Sequence, residues 1–184
     1  MSDNQPQGFY QVRFDWGVAG FQALAAGADV VVIADALPAL QQSTEPTTPL
    51  GAHRVILAGL HNRTAVARWV LDRQAEKGDR FSVAVIAAGD RRADGTGRWA
   101  VEDLLAAGAV VDALTDLGID HCSPEAAAAS AAFVGLKQAA KHLVGASETG
   151  QALAAAGRRD EVQAACRLDD RDDVPALGEF HFAV

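Results

Sequence analysis

Cysteine is nearly absent from these 184 residues: only Cys122 and Cys166 occur, with no metal-ligand spacing. Two thiols cannot build a framework of several bridges, and reduced thiols in a cytoplasmic protein are the default expectation. Basic residues are also few, 16 Lys and Arg against 24 Asp and Glu, for a net charge of −8. No basic stripe is available to neutralise phosphates, which excludes nucleic acid as a partner. Long apolar runs are missing, so no membrane span is expected, and the polar start Met1–Gln11 lacks the apolar centre of a signal peptide. Aromatic residues make up only 6% of the chain. Much of the apolar half is alanine instead, which points to close helix packing rather than a large aromatic core.

Motif absences narrow the chemistry. There is no GxxxxGK[ST] loop, HExxH or GxSxG, nor a cysteine followed at short range by Gly and Arg. Asp15 has Gly17 two residues on rather than a second aspartate, so a two-aspartate phosphotransferase arrangement is excluded. Gly95-Thr96-Gly97 lacks the third glycine of a dinucleotide fingerprint. The five histidines are scattered.

What is present reads as one α/β domain over residues 1–184. Phe81–Leu114 is its centre. An apolar, β-branched run at 81–88 predicts a strand covered on both faces. Gly89–Gly97 breaks it with glycines and charge. From Trp99 the spacing becomes helical, with Val101, Leu104, Leu105, Gly108, Val111 and Leu114 as the predicted core face. Around this centre, residues 9–15 predict a strand near a sheet edge. Gly17–Gly27 predicts a helix closed by Gly27, and Asp29–Ala34 and His53–Gly59 two further strands. Asn62–Gly78 predicts a helix with Asn62 or His61 at its N-cap. Residues 1–8 read as a flexible arm. Residues 35–52 read as a connection holding three of the six prolines. Residues 123–184 read as a mainly helical C-terminal part, opened by Ser123-Pro124-Glu125 and closed by an extended piece at 179–184. The alanine-rich helix at 126–140 leaves a homo-oligomer open.

Ligands of open α/β sheets sit beyond the carboxyl ends of strands. Asp15, Asn62 and the Gly89–Arg98 loop all follow strands, so topology predicts one shared rim. Asp15 has two open readings, a helix cap or a carboxylate holding a divalent cation. Glu102 and Asp103 occupy the first turn of the central helix, where the dipole favours acids. They read as solvated acids, or as Glu102 contacting a ligand with Asp103 accepting from backbone N–H groups. Arg98 reads as a surface arginine or as an anion clamp beside those N–H groups.

The segment AAG…GRWAVEDLLAAGAVVDAL resembles the CAG…GRFSLEDFLCAGAIV segment of the 2-phosphosulfolactate phosphatase family. GLHNRTAVARWV is similar to that family's FLNASAVA-type stretch. SETGQALAAAGRRDEVQAACRLDDRDDVPAL is similar to its C-terminal segment, and FDWGVAGFQALAAGADVV to DVLRATTTIVTAL. The resemblance runs from about Val12 to Leu177. It implies a three-layer α/β/α fold with a largely parallel sheet, and Mg²⁺-dependent hydrolysis of a small anionic phosphorylated metabolite such as 2-phosphosulfolactate, on the way to coenzyme M. Position by position it implies Asp15 and Glu102 as catalytic residues, with Asp15, Glu102 and Asp103 holding the metal. Asn62, Gly89 and Arg98 would bind substrate. Val18-Ala19-Gly20 replaces the family's Arg-Ala-Thr, and its Asn-Ser-Pro and Thr-Asn-Gly-Thr motifs are missing between the second and third strands. A family member without catalysis, serving as a ligand-binding or assembly protein, is therefore the alternative.

Overall fold

Residues 5–40, 47–51, 53–92, 94 and 96–182 are described by the computed structural model of the protein. Parts of the predicted arm (1–4), of the proline-rich connection (41–46 and 52), of the Gly89–Gly97 loop (93 and 95) and of the last extended piece (183–184) lie outside the described residues. The main sheet comprises β1 (Val12–Trp16), β2 (Val30–Ala34), β4 (Val55–Ala58), β5 (Val83–Ala87) and β8 (Ala176–Leu177). Its order is β1-β5-β2-β4-β8. The first four strands are parallel and β8 is antiparallel to β4. β3 (Thr48–Pro49) pairs with β9 (Glu179–Phe180), and β6 (Asp90–Arg91) with β7 (Gly97–Arg98), both antiparallel.

The apolar, β-branched sequences of β2 and β5 are buried at every residue, as expected of central parallel strands. Val30, Val32, Ala34, Val83, Val85 and Ala87 share one core with α2 (Arg63–Lys77) and α3 (Val101–Asp116). Val31, Ile33, Ala84, Ile86 and Ala88 share the other with Phe21 and Leu24 of α1 (Gly17–Leu24) and with Leu50 and Phe182. Helix α4 (Pro124–Leu136) lies on α3 and buries Ala126, Ala129 and Phe133. The inward face of the alanine-rich helix is thus used within the chain. Helices α5 (Ala140–Ala146), α6 (Glu148–Ala155) and α7 (Arg159–Ala165) follow. Among the described residues no helix is long and apolar enough to cross a membrane.

Several local expectations change on folding. α1 ends at Leu24 and runs into a 3-10 turn over Ala25–Gly27 instead of closing on a left-handed Gly27. Residues 5–8 of the predicted flexible arm are held to β1: the Gln7 amide donates to the Phe14 carbonyl at 2.9 Å and accepts from its N–H at 3.0 Å. An edge strand thereby has a backbone donor and acceptor satisfied by a side chain. Ser123 caps α4 as expected, accepting from Ala126 N–H.

Asn62 occupies the N-cap position of α2, but its side chain makes no cap bond. The helix is capped instead by Asp169, whose Oδ1 accepts from Thr64 N–H at 3.0 Å across 105 residues of sequence. Its Oδ2 meets Arg63 Nε at 3.1 Å, and Arg63 Nη1 reaches Asp112 of α3 at 2.8 Å. Asp169→Ala is expected to leave both donors short of a partner and cost roughly 1–2 kcal/mol, the scale of a lost cap. Urea unfolding would measure this as a lower midpoint with an unchanged slope.

Candidate active site

A cavity of about 280 Å³ opens at the carboxyl ends of the two central strands. Five stretches line it: Asp35–Leu40 without Ala36 after β2, Ala88–Arg91 after β5, Glu102 and Asp103 of α3, Thr149 of α6, and Phe180–His181. Adjacent parallel strands bring the first two together, because Ala34 pairs with Ala87. The α3 N-terminus supplies the next wall and its favourable field for negative charge.

Asp103 joins these parts. One carboxylate oxygen accepts from Ala36 N–H at 2.9 Å, and the other from Gly89 N–H at 2.9 Å. It therefore fastens the loop after β2 to the loop after β5. Gly89 adopts a φ of +72°, and a side chain there would also crowd the Arg98 carbonyl at 3.2 Å. Glycine is what allows its N–H to meet Asp103. Burial pushes the Asp103 carboxyl well up, and the nearby Asp35 charge adds to this. The two N–H groups oppose the shift.

Glu102 and Asp103 are only 2% and 3% exposed, so neither is a solvated first-turn acid. Glu102 Oε1 accepts from Arg98 Nη2 at 3.2 Å, while Oε2 is buried and without a hydrogen-bond partner among the described residues. Arg98 is not free to clamp an anion through Nη2. That nitrogen also donates to Asp90 Oδ2 at 2.7 Å and to Thr149 Oγ at 2.6 Å, and Nε lies 3.5 Å from Glu148. Desolvation opposes the Arg98 charge, but Asp90 and Glu102 outweigh it and raise the guanidinium's pKa.

Asp35 was not foreseen as a site residue, although it follows β2 directly. Burial, then the charges of Glu102 and Asp90, push its carboxyl up to about 7, against a hydrogen bond from Leu37 N–H. The folded chain thus binds more protons than the unfolded chain between the ordinary aspartate range and about pH 7. Stability from this group is lost as pH rises through that interval. Thermal melts without metal are expected to fall between pH 5 and 8, with a flatter profile in Asp35→Asn.

The predicted residues are only partly brought together. Gly89, Glu102 and Asp103 share the cavity wall, with Arg98 behind Glu102. Asp15 does not join them. It is paired in register with Ile86, whose side chain belongs to the core on the α1 side, and its Cβ lies against Gly20 of α1. Helix α3 covers the other sheet face, so Asp15 and Glu102 diverge although both lie near the carboxyl edge. Asn62 is likewise absent from the cavity. Its Oδ1 accepts from Gly59 N–H at 2.9 Å, and Nδ2 donates to the carbonyls of Leu57 and Asp173 at 3.2 and 3.0 Å. The amide that the resemblance gave to substrate is occupied by backbone.

Among the described residues no group of three or more Asp, Glu, His or Cys side chains is arranged to hold a metal ion. Asp103 and Asp90 each have both oxygens engaged, which leaves Glu102 Oε2 and the Asp35 carboxyl as the carboxylate donors on the cavity wall. Two carboxylates, completed by water and phosphate oxygens, suit Mg²⁺ and would not suit a closed structural zinc site. The buried, partnerless oxygen of Glu102 is the feature a cation would satisfy.

Comparison with curated proteins finds no match. The model of the family 2-phosphosulpholactate phosphatase matches residues 47–179, a span that holds Asn62, Gly89, Arg98, Glu102 and Asp103 and leaves Asp15 and Asp35 outside. Nearly three quarters of the chain falls in that match, including β4, α2, β5 and the α3 turn that shapes the cavity, and the protein belongs to the 2-phosphosulpholactate phosphatase family.

Proposed function

We propose that the protein hydrolyses a small acidic phosphoester, of which 2-phosphosulfolactate is the family's example, in the cavity beyond β2 and β5. Glu102 Oε2, buried and partnerless beside a carboxyl raised to about 7, is the observation that carries this reading. Two acids crowded without a cation are costly, and a bound divalent ion relieves that cost. Mg²⁺ would supply charge neutralisation at the phosphoryl oxygens and a more acidic attacking water.

The chain's own residues do the positioning. Glu102 and Asp35 would hold the ion, in place of the Asp15, Glu102 and Asp103 set implied by resemblance. Arg98 keeps Glu102 oriented through Oε1. Asp103 holds the two post-strand loops at the spacing that makes the hollow. A volume of about 280 Å³ accommodates a small phosphorylated acid rather than a nucleotide-sized ligand.

Release of inorganic phosphate from 2-phosphosulfolactate or phospholactate is expected to depend on Mg²⁺ and to be lost in Asp35→Asn. A folded wild-type protein inert towards a panel of phosphoesters would overturn the hydrolytic reading. The engagement of Arg98 by Asp90, Glu102 and Thr149 favours one second reading, a member that binds a metabolite without turning it over. A melting temperature raised by Mg²⁺ alongside an absent phosphatase rate would select it.

A further inference from the structure

His181 stands on the cavity wall beside Phe180 but lies beyond the span matched by the family. Its placement follows from its neighbours. Phe182 is buried in the core on the α1 side, where its ring meets Phe21 at 5.9 Å and Phe180 at 4.9 Å. β9 is held to β3 and further tied by Thr47 Oγ donating to Glu179 at 2.6 Å. The segment is thereby anchored on both sides of His181.

Neither imidazole nitrogen has a hydrogen bond among the described residues. Nδ1 is shut off from solvent without a partner, whereas Nε2 is not among the buried orphans. A neutral imidazole carries one donor and one acceptor, and only the accessible nitrogen can reach a ligand. Acids outnumber bases on this wall: Asp35, Asp90, Glu102 and Asp103 line it together with Arg91. The acids suit a cation and repel a phosphoryl group, so an anion needs donors from the rest of the wall.

We propose that His181 is a substrate-binding residue, its Nε2–H donating to a phosphoryl oxygen of the ligand held in this cavity. The assignment rests on the phosphoester reading for the kind of ligand, and on the unpartnered imidazole for the residue.

Calorimetric titration of inorganic phosphate into the full chain with saturating Mg²⁺ tests this directly. Wild type is expected to bind phosphate. His181→Ala should bind it about tenfold or more weakly, the scale of one hydrogen bond to a charged group. Mg²⁺ affinity should stay unchanged, and His181→Gln, which keeps an N–H donor, should recover part of the loss. In wild type the ¹⁵N signal of the His181 ring should move on adding phosphate, a readout independent of any variant's folding. Equal phosphate affinity in His181→Ala, an unmoved ring signal, or no phosphate binding by wild type would each overturn the proposal. Phosphate binding through His181 with no hydrolysis of any phosphoester would leave it standing and remove only the hydrolytic reading.

Discussion

Gly108→Ala is expected to destabilise the protein by about 2–4 kcal/mol, even though alanine is the better helix former by roughly 1 kcal/mol. A Cβ at Gly108 would lie 2.1 Å from the Ala129 carbonyl oxygen, 2.8 Å from its carbon and 2.9 Å from Phe133 Cβ. Two of those atoms are backbone, so no rotamer change relieves the overlap, and α4 must move off α3. Phe133 is fully buried and carries the Arg63 guanidinium over its ring at 5.4 Å, so the shift spreads to the Arg63–Asp112 pair. For a chain of this size the melting temperature should fall by roughly 10 °C. Gly135→Ala is the control: it lies on α4 with nothing within 4 Å, and should be neutral or stabilising by up to about 1 kcal/mol. A Gly108→Ala protein that melts with wild type would show that the two helices do not approach so closely. Because α3 also carries Glu102 and Asp103, the same displacement should weaken Mg²⁺ binding without touching the cavity.

The strands and helices were largely legible because their signals are local. Alternation in residues 9–15 placed β1 near an edge, continuous apolar runs placed β2 and β5 inside, and Gly78 closes α2 in the left-handed conformation. The burial of α3 was less legible. Large apolar residues define one stripe that includes Val101, yet Val101 is exposed while Glu102 and Asp103 are buried. The sheet, α2 and α4 surround this helix, so its alanines are interior on every side. Its first turn is drawn beneath two loops by Asp103, which no periodicity records. The site was legible only as a rim. Asp35 and Asp90 lie beyond the ends of β2 and β5 and Asp15 within the end of β1, but the face each side chain takes depends on register and on which helix covers it. Arg98 meets Asp90 through the two-residue pairing of β6 with β7, too short to leave a pattern. His181 depends on the flanking phenylalanines folding back to the core, a contact between distant parts of the chain.

Glu102→Gln should separate activity from stability. Gln keeps an oxygen able to accept from Arg98, so the contact now made by Oε1 survives. What it removes is the negative charge next to Asp35 and Asp103, both of whose carboxyls are pushed up in part by Glu102, along with one of the charges facing Arg98, which keeps its pairing with Asp90. The buried Oε2 has no partner among the described residues, and replacing it with an amide that can donate to a neighbouring carboxylate turns a repulsion into a hydrogen bond. Without metal the variant is therefore expected to be at least as stable as wild type, with a melting temperature higher by a few degrees. Mg²⁺ should stabilise wild type by up to about 2.7 kcal/mol at a hundredfold excess over its dissociation constant, and Glu102→Gln by much less. Phosphate release should fall by about a hundredfold or more, the scale of losing one preorganised electrostatic contact to the reacting group. Loss of rate together with loss of metal-free stability would mark Glu102 as a structural acid. A gain in metal-free stability alongside a lost rate and a lost Mg²⁺ response would mark a carboxylate held in a destabilising position because the ion needs it there.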